Sequence, residues 1–213
     1  KISDVDGTPS DVNDGDFTIF TSITVDVPNG GEVWGAGDPQ YIVWHGSTPP
    51  SSPVKIEYST DEGSSWSTVV ASTPNDGSHQ WTVPNTPSTQ CRVRISDAAT
   101  GTPSDVSDDD FTITQRGDII VEKQTGPDGD PTSFTFSGDV SGSIGDGQEV
   151  VEPVLPGSYS STETVPNGWD LIDITCEDPT GDSSGDTATG TATFNVAAGE
   201  TVRCTFTNTK HGT

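Results

Sequence analysis

The sequence is poor in positive charge. Eight Lys and Arg stand against 33 Asp and Glu, a formal net charge of -25. A nucleic-acid partner needs a basic face that displaces counterions from phosphates. Eight scattered bases do not supply one, so nucleic acid is excluded as a partner, and anionic membrane surfaces are disfavoured for the same reason. No apolar run approaches the roughly 18 residues of a membrane-spanning helix, so no membrane insertion is expected. No basic segment followed by an apolar stretch opens the chain, so no signal peptide is visible. Methionine is absent, which leads us to expect a mature product or a segment of something longer. No nucleophile–base triad or metal-ligand set stands out. His45, His79 and His211 are isolated along the chain, and read as surface or turn residues. An enzyme is therefore not expected.

Apolar residues are also scarce, at 28%, while Gly and Pro number 24 and 16. Such a composition approaches that of disordered chains, but the apolar residues are not dispersed. They alternate in short runs such as Val54-Lys55-Ile56-Glu57-Tyr58 and Val202-Arg203-Cys204-Thr205-Phe206, the pattern of half-buried strands. No segment keeps helical periodicity over three turns. The fold class is all-β.

The chain repeats itself. Residues 1–19 (KISDVDGTPSDVNDGDFTI) align with 94–113 (RISDAATGTPSDVSDDDFTI) with one insertion, matching Ile2 to Ile95, Asp11 to Asp105 and Phe17 to Phe111. The second copy is the tail of a complete unit. Residues 1–20 therefore read as the C-terminal strands of an incomplete repeat, completed by another chain or by an upstream segment, since an isolated hairpin is marginal in water.

Residues 21–115 form the first full unit. Strands are expected near 22–27, 32–35, 40–45, 54–60, 66–72, 78–83, 91–96 and 110–114, separated by turn signals such as Asn29-Gly30 and Asn75-Asp76-Gly77. This spacing favours an immunoglobulin-like sandwich. The runs Ile23-Thr24-Val25-Asp26-Val27-Pro28-Asn29-Gly30-Gly31-Glu32-Val33-Trp34, Tyr41-Ile42-Val43-Trp44 and Trp81-Thr82-Val83-Pro84 resemble the Ser/Thr-rich surface-repeat family of immunoglobulin-like domains. That resemblance implies an extracellular spacer or stalk on a prokaryotic cell surface. Ser59-Thr60-Asp61-Glu62-Gly63-Ser64-Ser65-Trp66 looks like an Asp-box, read here as a hairpin whose Asp61 caps its own turn. Trp34, Trp44 and Trp81 either fill the core or line a sugar-binding face.

Residues 117–210 form a second all-β unit with a different texture. Its strands are expected near 118–124, 132–138, 148–153, 157–165, 169–177, 190–196 and 200–208. Side chains alternate faces along a strand. Lys123 shares its face with Ile119 and Val121, Glu163 with Tyr159, Ser161 and Val165, and Asn208 with Val202, Cys204 and Phe206. An amine, a carboxyl and a carboxamide thus all point inward, and unpaired buried charge is costly, so the three should meet.

Val121-Glu122-Lys123, the run from Tyr159 to Trp169 (YSSTETVPNGW) and Phe206-Thr207-Asn208-Thr209 resemble a prealbumin-like domain of the collagen-binding-protein B type, as found in Gram-positive pili and adhesin stalks. The resemblance implies a spontaneous isopeptide bond with Lys123 as nucleophile, Asn208 as electrophile and Glu163 as proton shuttle. The bland alternative is a buried Lys–Glu pair with Asn hydrogen-bonded to both. Two cysteines match a subfamily of the same domain. The resemblance implies a Cys176–Cys204 disulfide, worth roughly 3 kcal/mol by loop closure and fitting an oxidising setting, against the alternative of reduced buried thiols. Cys91 is left over, as a core thiol or an intermolecular link.

Acidic residues crowd both tails. Asp4, Asp6, Asp11, Asp105, Asp108 and Asp110 are weak candidates for Ca2+, with solvated surface charge as the competing reading. Asp128, Asp130, Asp182 and Asp186 read as plain solvated loop charge. The leading functional expectation is a structural segment of an extracellular fibre whose partners are copies of itself or neighbouring repeats, with assembly by strand complementation. The alternative is an adhesin or carbohydrate-binding module whose partners are surface glycans.

Overall fold

The computed structural model describes residues 2–3, 10–11, 22–46 and 52–212. Every helix or strand among them is a strand, as period-two patterning requires. β1 (Ile2–Ser3) and β2 (Ser10–Asp11) pair antiparallel, with Ile2 opposite Asp11 and Ser3 opposite Ser10. The remainder of the 1–20 fragment, with Phe17 and Ile19, lies outside the described residues.

The next nine strands close one sandwich. They are β3 (Ile23–Val27), β4 (Val33–Gly35), β5 (Pro39–Gly46), β6 (Val54–Ser59), β7 (Ser67–Thr73), β8 (Ser78–Thr82), β9 (Ser88–Asp97), β10 (Ser104–Val106) and β11 (Phe111–Thr114). One sheet runs β3-β5-β8. The other runs β4-β11-β9-β6-β7, with β10 also beside β9. β10 was not anticipated from the sequence. It pairs Ile95 with Asp105 and Ser96 with Ser104. Through the alignment of the two tails this is the register of Ile2 with Asp11 and Ser3 with Ser10, so the repeat in sequence is also a repeat in pairing.

The inward residues of both sheets make one core, centred on Val25, Ile42, Ile56, Val93, Ile95 and Phe111. Trp34, Trp44 and Trp81 belong to it, at 6%, 3% and 8% exposure. Trp34 packs on Phe111 at 5.0 Å and edge-on to Trp81 at 6.0 Å, the tilted geometries that ring quadrupoles favour. Trp44 donates its indole N–H to Asn75 Oδ1 at 2.7 Å. Cys91 is fully buried in the same core, its thiol 3.4 Å from Ser88 O. Burial pushes its pKa up, so it behaves as an inert small apolar side chain.

The last nine strands close a second sandwich. They are β12 (Gly117–Gly126), β13 (Phe134–Gly138), β14 (Gly142–Ile144), β15 (Glu149–Val154), β16 (Gly157–Thr164), β17 (Trp169–Glu177), β18 (Ser184–Asp186), β19 (Thr191–Val196) and β20 (Thr201–Lys210). The sheet β15-β12-β20-β17 faces β14-β13-β16-β19-β18. Its centre is a parallel pair, from Asp118 opposite Thr201 to Gly126 opposite Thr209. The first and last strands of this unit are therefore neighbours pointing the same way. β12 alternates buried and half-buried residues along its whole length. Its inward Ile119 and Val121 join Phe134, Phe136, Phe194 and Phe206 in a second core. Val165 departs from the expected inward parity. It lies past the end of β16 and is 37% exposed, because the following Pro166 stops ladder pairing.

The two sandwiches meet across Gln115-Arg116. The Arg116 guanidinium donates to both carboxylate oxygens of Asp38 at 2.8 Å, and to Pro153 O at 2.9 Å. Asp38 lies in the turn between β4 and β5, and Pro153 in β15, so one side chain spans both units. Gly35 belongs to the same contact, since a Cβ there would lie 3.0 Å from Leu155 Cδ2.

Candidate functional site

Three strands from both sheets of the second sandwich converge on one buried polar cluster. Lys123 projects from β12, Asn208 from the neighbouring β20, and Glu163 from β16 across the core. Lys123 and Asn208 are fully buried, and Glu163 is 5% exposed. As the ammonium, Lys123 Nζ donates its three N–H groups to Asn208 Oδ1, Phe206 O and Gln124 O, each at 2.8 Å. Glu163 Oε1 stands 3.8 Å from Nζ, an ion-pair distance beyond hydrogen-bond reach. The Phe134 ring covers the amine with its centroid 4.4 Å away. Sequence parity anticipated that the three polar residues meet. It did not anticipate Phe134, whose spacing marks only a core position.

The electrostatics follow from dryness. Burial pulls the Lys123 pKa down to about 8, with Glu163 and Asp146 opposing that fall. Burial pushes the Glu163 carboxyl up, against the opposing pull of Lys123. Desolvation penalises the charged form of each group, so the neutral amine and protonated acid come within reach of each other. Among the described residues both Glu163 oxygens and Asn208 Nδ2 are buried without a hydrogen-bond partner. An orphaned carboxyl beside an orphaned amide nitrogen is an expensive resting arrangement. It also leaves a proton donor and a leaving group side by side. The amine already touches the carboxamide it would attack, and such fixed proximity replaces a bimolecular encounter.

β20 carries a covalent cross-link to its other neighbour. Cys204 and Cys176 face each other on β20 and β17 and form a disulfide, with Cα atoms 4.1 Å apart and a sequence separation of 28. β20 is thus joined covalently to β17, while its Asn208 contacts Lys123 of β12.

The remaining candidates lie elsewhere. Asp105 Oδ2 accepts Val25 N at 2.8 Å, Asp108 Oδ2 accepts Asn29 Nδ2 at 2.9 Å, and Asp110 takes Arg92 Nε. Among the described residues no three His, Cys, Asp or Glu side chains group as a metal site. Asp4 and Asp6 fall outside the described residues, and only the backbone of Asp11 is described. Asp130 is not plain solvated charge. It pairs with Lys210 at 2.9 Å and also accepts Thr132 N and Oγ1. His45 and His211 are surface residues as expected, and each lies beside a carboxylate, 2.8 Å from Asp26 and 3.0 Å from Asp170. In the Asp-box, Asp61 accepts Ser59 Oγ at 2.6 Å, Ser65 N at 2.8 Å and Ser65 Oγ at 2.6 Å. Gly63 takes φ 86°, its natural region. The box is a self-capped turn whose Trp66 lies under the Arg94 guanidinium at 4.3 Å.

Comparison with known proteins adds the following. The family model described as a prealbumin-like fold domain matches residues 119–210. No curated protein sequence matches significantly. Among solved structures, the major pilin protein of Streptococcus pyogenes is similar at 11% identity and a TM-score of 0.33, over 92% of this chain and 98% of that one. The Bacillus anthracis TIE protein is similar at 13% identity and a TM-score of 0.30, over 89% and 34%. The fibronectin(III)-like modules of Clostridium thermocellum CbhA are similar at 14% identity and a TM-score of 0.26, over 89% and 94%.

Proposed function

We propose that this chain is a structural segment of an extracellular fibre or stalk on a prokaryotic cell surface, with no catalytic turnover. It consists of β-modules in series at 21–115 and 117–210, with 1–20 finishing a further sandwich by strand complementation. The second module is welded by a Lys123–Asn208 isopeptide bond. The neutral amine attacks Asn208 Cγ and the Nζ–Cγ bond forms. Glu163 passes the displaced proton to Nδ2, the Cγ–Nδ2 bond breaks, and ammonia leaves.

The observation that carries this reading is the dry meeting of amine, carboxyl and carboxamide between the first and last strands of the module. The prealbumin-like match over 119–210 agrees with it. The carbohydrate-binding alternative loses its motive, because Trp34, Trp44 and Trp81 are core residues rather than a flat exposed face. Intact mass under denaturing conditions tests the proposal. A deficit of about 17 Da, the mass of ammonia, is expected beside the roughly 2 Da of the disulfide. A mass lacking the larger deficit refutes the weld.

A further inference from the structure

We propose that Asp146 is a positioning residue for the Lys123–Asn208 condensation, an assignment that rests on the cross-linking reading above. The ladder between β12 and β15 ends at Glu122 opposite Glu149. Beyond that point β12 would lose its partner on one edge just where Lys123 stands. The turn between β14 and β15 takes over. Gln148 O accepts Lys123 N at 3.0 Å, and Gly147 N donates to Lys123 O at 2.8 Å. Asp146 extends the grip by two residues. Its Oδ1 accepts Thr125 N at 2.6 Å, while its Oδ2 accepts Gly129 N at 2.7 Å.

Thr125 sits opposite Asn208 in the parallel ladder. The carboxylate therefore fixes the β12 residue that pairs with the electrophile, from the edge facing away from β20. Without that anchor the end of β12 is held on one side only, and the amine loses its register against Asn208 Cγ. Displacement of a reacting pair by about 1 Å costs up to a hundredfold in rate. The Gly129 amide, followed by that of Thr125, holds the Asp146 carboxyl below its ordinary range despite some burial. The acceptor is thus ionised, and its bonds are charge-assisted.

The test is the rate at which the 17 Da deficit develops, about the mass of ammonia, after cell-free synthesis of the full chain and quenching in denaturant. Formation of the Cys176–Cys204 disulfide reports folding. Asp146→Ala is expected to cross-link at least about tenfold slower than the parent. Asp146→Asn keeps an acceptor oxygen for Thr125 N and is expected to stay within about threefold. Equal rates for Asp146→Ala and the parent, or an Asn variant as slow as the Ala variant, overturn the positioning role. Should Asp146→Ala fail to fold, Asp146→Glu carries the test, because it keeps the charge but displaces the acceptor by one methylene. It is expected to be several-fold slower, and parental speed overturns the role. A parent chain that never loses ammonia refutes the condensation itself, a result distinct from all of these.

Discussion

Asn208→Ala removes the electrophile of the proposed weld, with consequences under load that can be worked out from the topology. Force applied through Gly117 and Lys210 enters β12 at its start and leaves β20 at its end. The two are parallel neighbours, so the load shears their ladder. With the proposed weld in place the path crosses from Lys123 directly to Asn208, and only about ten residues remain on it, most already extended. In the variant about 94 residues lie between the two ends, of which the 28-residue Cys176–Cys204 loop stays clipped. At about 3.5 Å per residue, and after subtracting the roughly 30 Å already spanned, unfolding should release about 200 Å. Reduction of the disulfide should add about 100 Å more. In the parent the clipped loop lies wholly within the welded segment, so reductant should add nothing. Single-molecule stretching of the chain between flanking marker domains reads these lengths. A parent module that lengthens by the same step as Asn208→Ala, or whose step grows on reduction, refutes the weld and the load path drawn from it.

Other outcomes follow from the same residues. Condensation needs one proton shared between Lys123 and Glu163. Its rate should fall as pH rises past about 8, where the pair gives up that proton. It should fall again on the acid side, where both groups are protonated. A rate that climbs steadily above pH 8 in a timed mass series would contradict the role of Glu163. In the Asn208→Ala background, replacing Cys176 and Cys204 by Ser should cost about 3.5 kcal/mol by loop closure, and unchanged denaturant midpoints would count against it. Phe111→Ala empties a fully buried site of the first core and should cost about 3–5 kcal/mol. Ammonia loss in the second module should be untouched. If that variant slows cross-linking, the two cores are coupled.

The strands and the polar cluster were legible for one reason. A period of two fixes which face each side chain takes: Lys123 and Asn208 lie among apolar residues of the same parity, and Glu163 shares its face with Tyr159 and the buried Ser161. Val165 marks where that logic overran, because parity has no meaning once Pro166 has ended the strand. β10, β14 and β18 were not legible. Ser104-Asp105-Val106, Gly142-Ser143-Ile144 and Ser184-Gly185-Asp186 are three residues each, too short to alternate, and are defined by their partners. Asp146 and Asp130 were illegible for a related reason. Their partners are backbone amides and a distant Lys210, and an acid that grips an amide has the same one-letter symbol as one that faces water. The Asp-box reading as a self-capped turn needed no distant partner, and its bonds run almost wholly within 59–65.

The Arg116 bracket bears on reach. A guanidinium that ties Asp38 on one side to Pro153 on the other leaves the two-residue connection little room to swivel. Tethers that swivel freely lengthen only as the square root of the number of units, whereas stiff spacers lengthen in direct proportion. Repeated along a series, joints of this kind would hold whatever sits at the far tip at a set height above the surface, instead of letting it wander within a cloud.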